Sequence, residues 1–154
     1  MKIHILAVGK LDAKAYTELE QDYLKRIQRS CPVSIQEVPE PGGKFNNADE
    51  VVKRYSTLLE KAIKGRPFVL CDQRGRAYDS IEFAGWLKAK MEQPPAELVI
   101  VIGGSHGVSE ALADAARECI AFSRLTFPHQ LFRILLLEQL YRGFSIIEGS
   151  KYHK

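Results

Sequence analysis

Residues 98–102, Leu-Val-Ile-Val-Ile, form an unbroken apolar run that leads directly into Gly103-Gly104-Ser105-His106-Gly107. A strand without polar alternation needs cover on both faces, and the centre of a parallel sheet with helices above and below supplies it. In such sheets ligands settle beyond the carboxyl ends of the strands, so the glycine-rich segment stands where a ligand loop belongs. A plain tight turn would use the same glycines, and at this point both readings stay open.

The rest of the chain repeats strand and helix patterns around that run. Residues 3–8 read as a strand, and Tyr16, Leu19, Tyr23, Leu24 and Ile27 recur at helical spacing after it. Residues 33–38 alternate as a strand and lead into a Pro- and Gly-rich basic loop over 39–44. Asn47 with Glu50 predicts a capping box that opens a helix ending at Gly65, and 68–71 is a short buried strand. A turn is expected at 72–76, then a helix capped by Ser80 and closed by Pro94-Pro95. After the central run come a short helix over 109–117, a strand over 120–127, and a helix from Pro128 to about Ser145. This order predicts one α/β domain over 1–154, a mostly parallel sheet flanked by helices. The strand ends at Cys71, Gly103 and Phe127 then become the places to look for a site.

The formal net charge is only +3, yet residues 124–154 hold five Lys or Arg against two Glu. The whole excess therefore sits at one end, as a modest patch for a polyanion would; a solvated helix face gives the same count. Cys31, Cys71 and Cys119 are too widely spaced for a zinc site or a secreted disulfide framework and read as small core residues. Met1-Lys2 precedes only a strand-length apolar run, so a cytoplasmic protein without membrane association is expected.

Several chemistries lose ground on the motifs. Val108, not Lys-Ser or Lys-Thr, follows Gly107, and the GxGxxG spacing is absent, which argues against ATP and NAD sites. No G-x-S-x-G elbow and no His and carboxylate cluster at metal spacing is found, so no metal is expected. The final helix carries Leu131, Ile134, Leu135, Leu136, Leu137, Leu140, Tyr141 and Phe144, more apolar circumference than one core stripe needs, and this predicts a symmetric homodimer. His129 is either a catalytic base or a helix-start residue bonded to backbone. The final Tyr152-His153-Lys154 combines a stacking ring, an imidazole and an ammonium, a combination suited to an extruded base.

Taken together, Ile102-Gly103-Gly104-x-x-Gly107, Phe122-Ser123-x-Leu125-Thr126-Phe127-Pro128-His129, Glu138-Gln139-x-Tyr141-Arg142 and Tyr152-His153-Lys154 resemble the RlmH family of SPOUT-class methyltransferases, as does the opening Ile5-Leu6-Ala7-Val8-Gly9-Lys10. The resemblance spans essentially the whole chain. It implies S-adenosylmethionine-dependent methylation of N3 of a pseudouridine in 23S rRNA, on the large subunit or the whole ribosome, and a C-terminal trefoil knot, a rare exception to unthreaded topology. It further implies that Cys71, Gly103, Gly104, Phe122, Ser123, Arg124, Leu125, Thr126 and Phe127 surround the cofactor, mainly through backbone groups. Arg142, Tyr152, His153 and Lys154 become the catalytic set, supplied across a dimer to the partner's site. Arg133, Arg142, Lys151 and the Lys44 loop are the expected phosphate contacts. Another RNA target within the class, or a ribosome-binding module without catalysis, are the alternatives.

Overall fold

The structure, a computed structural model, describes residues 1–41, 47–94 and 97–152. The expected Lys44 loop, His153 and Lys154 lie outside the described residues. In chain order the elements are β1 (Lys2–Val8), α1 (Lys14–Ile27), β2 (Val33–Val38), α2 (Ala48–Ile63), β3 (Phe68–Ala77), α3 (Ser80–Glu92), β4 (Glu97–Ile102), α4 (Glu110–Asp114), β5 (Glu118–Ala121) and α5 (His129–Ile147).

The strands form one sheet in the order β2-β1-β4-β3-β5, and every pairing is parallel. The apolar run is β4, the middle strand, buried from Leu98 to Ile102. Two cores explain its composition. Ile3, Ile5, Leu98, Ile100 and Ile102 point to a layer with Leu87 of α3 and Leu136, Leu140 and Phe144 of α5. Leu6, Val8, Val99 and Val101 point the other way, to Tyr55 and Leu59 of α2 and Leu112 of α4. Each fully buried aliphatic side chain contributes about 1.5–3 kcal/mol, so this double burial outweighs the scant local preference of so short a run.

Three expectations need correction. The segment 72–76 is not a separate turn. β3 continues through it, pairing Cys71 with Ile120, then slipping register so that Arg76 also faces Ile120 and Ala77 faces Ala121. The strap between crosses the backbone of β5 so closely that a Cβ on Gly75 would lie 2.6–2.7 Å from Cys119 and Ile120 main-chain atoms. This crossing agrees with the expected threaded C-terminus. Residues 122–127, expected as strand, are loop, because β3 ends at Ala77 and offers no further ladder; the Ser123 hydroxyl instead accepts from the Leu125 amide at 3.0 Å. Finally, the cap of α3 is Asp79, not Ser80. The Asp79 carboxylate accepts from the Ile81 and Glu82 amides, and Glu82 accepts from the Asp79 amide in return. At α2 the Asn47 side chain does accept from the Glu50 amide, at 2.9 Å.

α5 packs on both α1 and α3. Much of its broad apolar circumference is therefore used inside the chain, with Leu131, Leu135 and Ile146 left half-buried.

The glycines give a paired test of this architecture. Gly75→Ala places a methyl group against immovable backbone and should cost about 3 kcal/mol or more. Gly85, on the exposed face of α3, has nothing within 4 Å of its would-be Cβ, so Gly85→Ala should stabilise by about 0.5–1 kcal/mol through helix propensity. Denaturant titration of the two variants reads both signs.

Candidate functional site

A cavity of about 490 Å³ opens where β4 and β5 end and β3 slips register. Cys71 comes from the slip in β3, Ile102 and Ile120 from the ends of β4 and β5, Gly103–Val108 form one wall, and Phe122, Ser123, Leu125, Thr126 and Phe127 the opposite one. The strap residues Asp72, Gln73 and Arg74 close one side, and His129 and Phe132 at the start of α5 another. Eight of the nine residues expected around the cofactor thus share one wall system. Arg124 does not; it is exposed.

The glycine wall is folded tightly on itself. The Gly107 amide donates to the Gly104 carbonyl at 3.0 Å, and Gly107 has φ +78°, a conformation that favours glycine. A Cβ on Gly103 would sit 2.7 Å from the Gly107 carbonyl oxygen, and one on Gly104 would sit 2.9 Å from the Tyr55 ring. The wall is therefore main chain, offering N–H and C=O groups rather than side chains. It is braced from behind: the buried Ser56 hydroxyl accepts from the Ser109 amide at 2.9 Å, and the Ser105 hydroxyl donates to Glu40 at 3.2 Å. The facing wall is aromatic, with Phe122 and Phe127 centred 5.1 and 6.4 Å from Phe132. Main-chain donors and acceptors facing aromatic rings suit a flat heterocycle with a polar edge.

Electrostatics at the mouth are local. The Arg74 guanidinium beside Asp72 holds that carboxyl below the usual range, and Arg74 also reaches Glu110 at 3.2 Å. Burial, with Cys119 and Asp72 nearby, pushes the Cys71 thiol well above its ordinary value. Cys71 is thus a neutral apolar surface and not a nucleophile. Among the described residues no group of three His, Cys, Asp or Glu could hold a metal ion. Nor is any described helix long and apolar enough to cross a membrane.

Of the residues expected to be catalytic, the two that the structure describes, Arg142 and Tyr152, lie elsewhere in the same chain. Glu138 accepts from Arg142 at 3.0 and 2.6 Å and from the Tyr152 hydroxyl at 3.2 Å. Arg142 stands over the Tyr152 ring, 4.9 Å from its centroid, and Tyr152 meets Tyr141 edge-on at 4.6 Å. Burial and the Glu138 charge push the Tyr152 phenol up to about 12, so it is a donor at neutral pH. Neither Arg142 nor Tyr152 lines the cavity; along α5, Arg142 is about 15 Å from Phe132 and about 20 Å from His129, which do. Among the described residues, one chain does not bring the two groups together.

Arg133 overturns another expectation. It is 1% exposed and donates to Glu20, Glu37 and the Gly9 carbonyl at 3.1, 2.9 and 2.9 Å. It is a structural tie between α5, α1 and the end of β1, and its guanidinium is not offered to phosphate. Its neighbour His129 packs on Gly9, where a Cβ would meet Nε2 at 2.8 Å; His129 therefore both starts the helix and walls the cavity. Sequence reasoning missed the strap 72–74, Phe132, and the bracing Glu40, Tyr55 and Ser56. Only Phe132, three places after the first residue of an apolar helix, carried any visible signal.

A family model described as "Predicted SPOUT methyltransferase" matches residues 1–153. Proteins named "Ribosomal RNA large subunit methyltransferase H" align end to end: that of Caldicellulosiruptor saccharolyticus is 41% identical, covering 99% of each chain. That of Clostridium beijerinckii is 39% identical, covering 100% of each. Among solved structures, a "probable methylase family protein" from Haemophilus influenzae superposes with a TM-score of 0.54 at 10% identity, covering 97% of this chain and 67% of that one. A "Probable Methyltransferase" from Bordetella pertussis gives 0.51 at 12% identity, covering 93% of each. These two likenesses speak for the fold.

Replacing Arg133 by Met leaves Glu20, Glu37 and the Gly9 carbonyl without their shared donor. The expected cost is about 3 kcal/mol, the low end for breaking a buried pair because Glu37 keeps some solvent. Urea unfolding measures it; a loss below about 0.5 kcal/mol would place Arg133 among ordinary surface cations.

Proposed function

The chain belongs to the SPOUT methyltransferase family, and on that premise we propose that it methylates N3 of a pseudouridine in 23S rRNA with S-adenosylmethionine as donor. The observation that carries this reading is the cavity at the strand ends, backbone on one side and aromatic on the other, in a chain whose full-length relatives are named for large-subunit rRNA methylation. The residues present fit an adenosyl group: Gly103 and Gly104 leave no room for side chains, and the mutually packed rings of Phe122, Phe127 and Phe132 also line the cavity of about 490 Å³.

S-adenosylmethionine, when bound, supplies a methyl group on a positively charged sulfur, ready for in-line displacement. The work of the chain is then to hold two reactants in attacking geometry. Backbone groups of Gly103, Gly104 and 122–127 bind the adenine and ribose, and Cys71 contributes a neutral, unreactive surface beside them. Methyl transfer to the imide nitrogen releases its proton, which passes to water or to a tail group in its neutral form, while the cations among Arg142, His153 and Lys154 would stabilise the negative charge that develops on the heterocycle. Tyr152, protonated to about pH 12, stacks or donates and is not the base. Because about 15–20 Å of helix separates Arg142 from the α5 residues that line the cavity, the acting Arg142 and tail come from a second copy, and the homodimer is the working unit. A single domain of 154 residues has little surface for reading RNA alone, so recognition uses the assembled ribosome, in the cytoplasm.

Mass spectrometry of rRNA from cells with and without the protein should show one methylated pseudouridine lost on deletion. A different nucleotide would redirect the target, and no binding of S-adenosylmethionine in calorimetry would leave a ribosome-binding module. The shared site has its own signature. Gly104→Ala, which drives a methyl group into Tyr55, and Arg142→Ala should each be inactive as pure dimers. Mixed in equal amounts they should recover about a quarter of wild-type activity, since half the dimers carry one intact site. No recovery would place both residues in the same subunit's site.

A further inference from the structure

Among the described residues that line the cavity, imidazoles apart, formal charge is confined to Asp72, Arg74 and Glu110. All three meet at one rim, where the strap of β3 approaches α4. Arg74 joins them: its Nε and Nη2 donate to Asp72 Oδ1 and Oδ2 at 3.0 Å each, and its Nη1 donates to Glu110 at 3.2 Å. The Arg74 amide also donates to Asp72 Oδ1, at 2.8 Å. Backbone fixes the place of the pair, since the next residue is Gly75, held against β5 main chain. Asp72 is the covered partner, its side chain 12% exposed against 56% for Arg74. A pair this local, with its guanidinium in solvent, adds little to stability. Nor is its bonding capacity used up. Each carboxylate oxygen can accept more than one bond, and a guanidinium carries more N–H donors than the three that Arg74 directs to carboxylates. Among the described residues Asp72 Oδ2 accepts from Arg74 Nη2 alone. A spare acceptor and spare donors therefore remain side by side at the rim.

S-adenosylmethionine has the matching end. Beyond the sulfonium its chain finishes in an ammonium and a carboxylate on one carbon, and a zwitterion brought against an uncharged wall loses hydration without compensation. Charged partners of opposite sign supply that compensation. We propose that Asp72 and Arg74 form the subsite for the methionyl end of the donor, Asp72 Oδ2 accepting from its ammonium and Arg74 donating to its carboxylate. The inference rests on the cofactor reading above and adds to it the charged residues that orient the donor. With the adenosyl part held by backbone and rings and the far end held at the strap, the sulfonium methyl between them has a fixed direction.

Three ligands separate the parts of the donor. S-adenosylmethionine carries both zwitterion and sulfonium, S-adenosylhomocysteine the zwitterion alone, and methylthioadenosine neither. In calorimetry Asp72→Asn should bind the first two about tenfold more weakly than wild type does, about 1.4 kcal/mol, and methylthioadenosine equally well, which also reports a folded cavity. Weakened binding of all three would make Asp72 a residue that shapes the wall. A loss for S-adenosylmethionine alone would place it at the sulfonium, and no change would leave a surface ion pair; each of these overturns the proposal. Arg74→Gln tests the other half. S-adenosylmethionine should bind this variant about tenfold more weakly, whereas decarboxylated S-adenosylmethionine, which lacks the carboxylate, should bind it at least as tightly as wild type. An equal loss for both, or none, would remove Arg74 from the subsite. Failure of the wild type to bind any of these ligands would instead sink the cofactor reading, and the proposal with it.

Discussion

Two stretches of main chain cross in close contact at the centre of the fold's threaded region. At Gly75 the strap of β3 passes over β5 with no space for a single methyl group, a would-be Cβ lying 2.6 Å from main-chain atoms. Parallel strands in one sheet ordinarily lie side by side, about 4.8 Å apart. Here β3 pairs with Ile120 on both sides of a slip, from Cys71 and again from Arg76. That slip throws Asp72, Gln73 and Arg74 out over the strand ends and sends residues 122–127 back toward the glycine segment. The cavity is the space these three excursions enclose. Its walls are therefore consequences of strand pairing, and the site is built before any side chain is chosen for chemistry.

A second constraint fixes the helix that ends the chain. Arg133 joins α5 to Glu20 of α1, Glu37 of β2 and the carbonyl of Gly9. Three acceptors on three separate segments fix the start of α5 in both rotation and height. His129 and Phe132, one turn or less away, take their place in the cavity wall from that anchor. Gln130, exchanging hydrogen bonds with Asp12 at 2.8 Å, completes the same seam.

Much of the fold was legible because hydrophobic period and burial agree. The β4 run reads as doubly covered and is; residues 33–38 alternate and pair with β1; Asn47 caps as its type suggests. What misled was local appearance. Asp72-Gln73-Arg74-Gly75-Arg76 has turn chemistry, yet long-range pairing with β5 draws it into a strand. The segment 120–127 has strand composition, yet its neighbour ends first. Within the site, glycines were visible because close approach demands them. Tyr55, Glu40 and Arg133 were not, since a tyrosine on an apolar helix face, a loop carboxylate and a helix cation look the same paired or unpaired until the fold brings their neighbours.

The Arg133 triad also bears on how this chain can change over generations. It holds one positive and two negative charges, so losing one glutamate leaves a balanced pair, while losing Arg133 alone leaves two carboxylates and the Gly9 carbonyl around a space without a cation. The guanidinium is therefore the member on which the others depend, and a lineage that lost it would have to re-anchor the opening turn of its last helix by apolar packing.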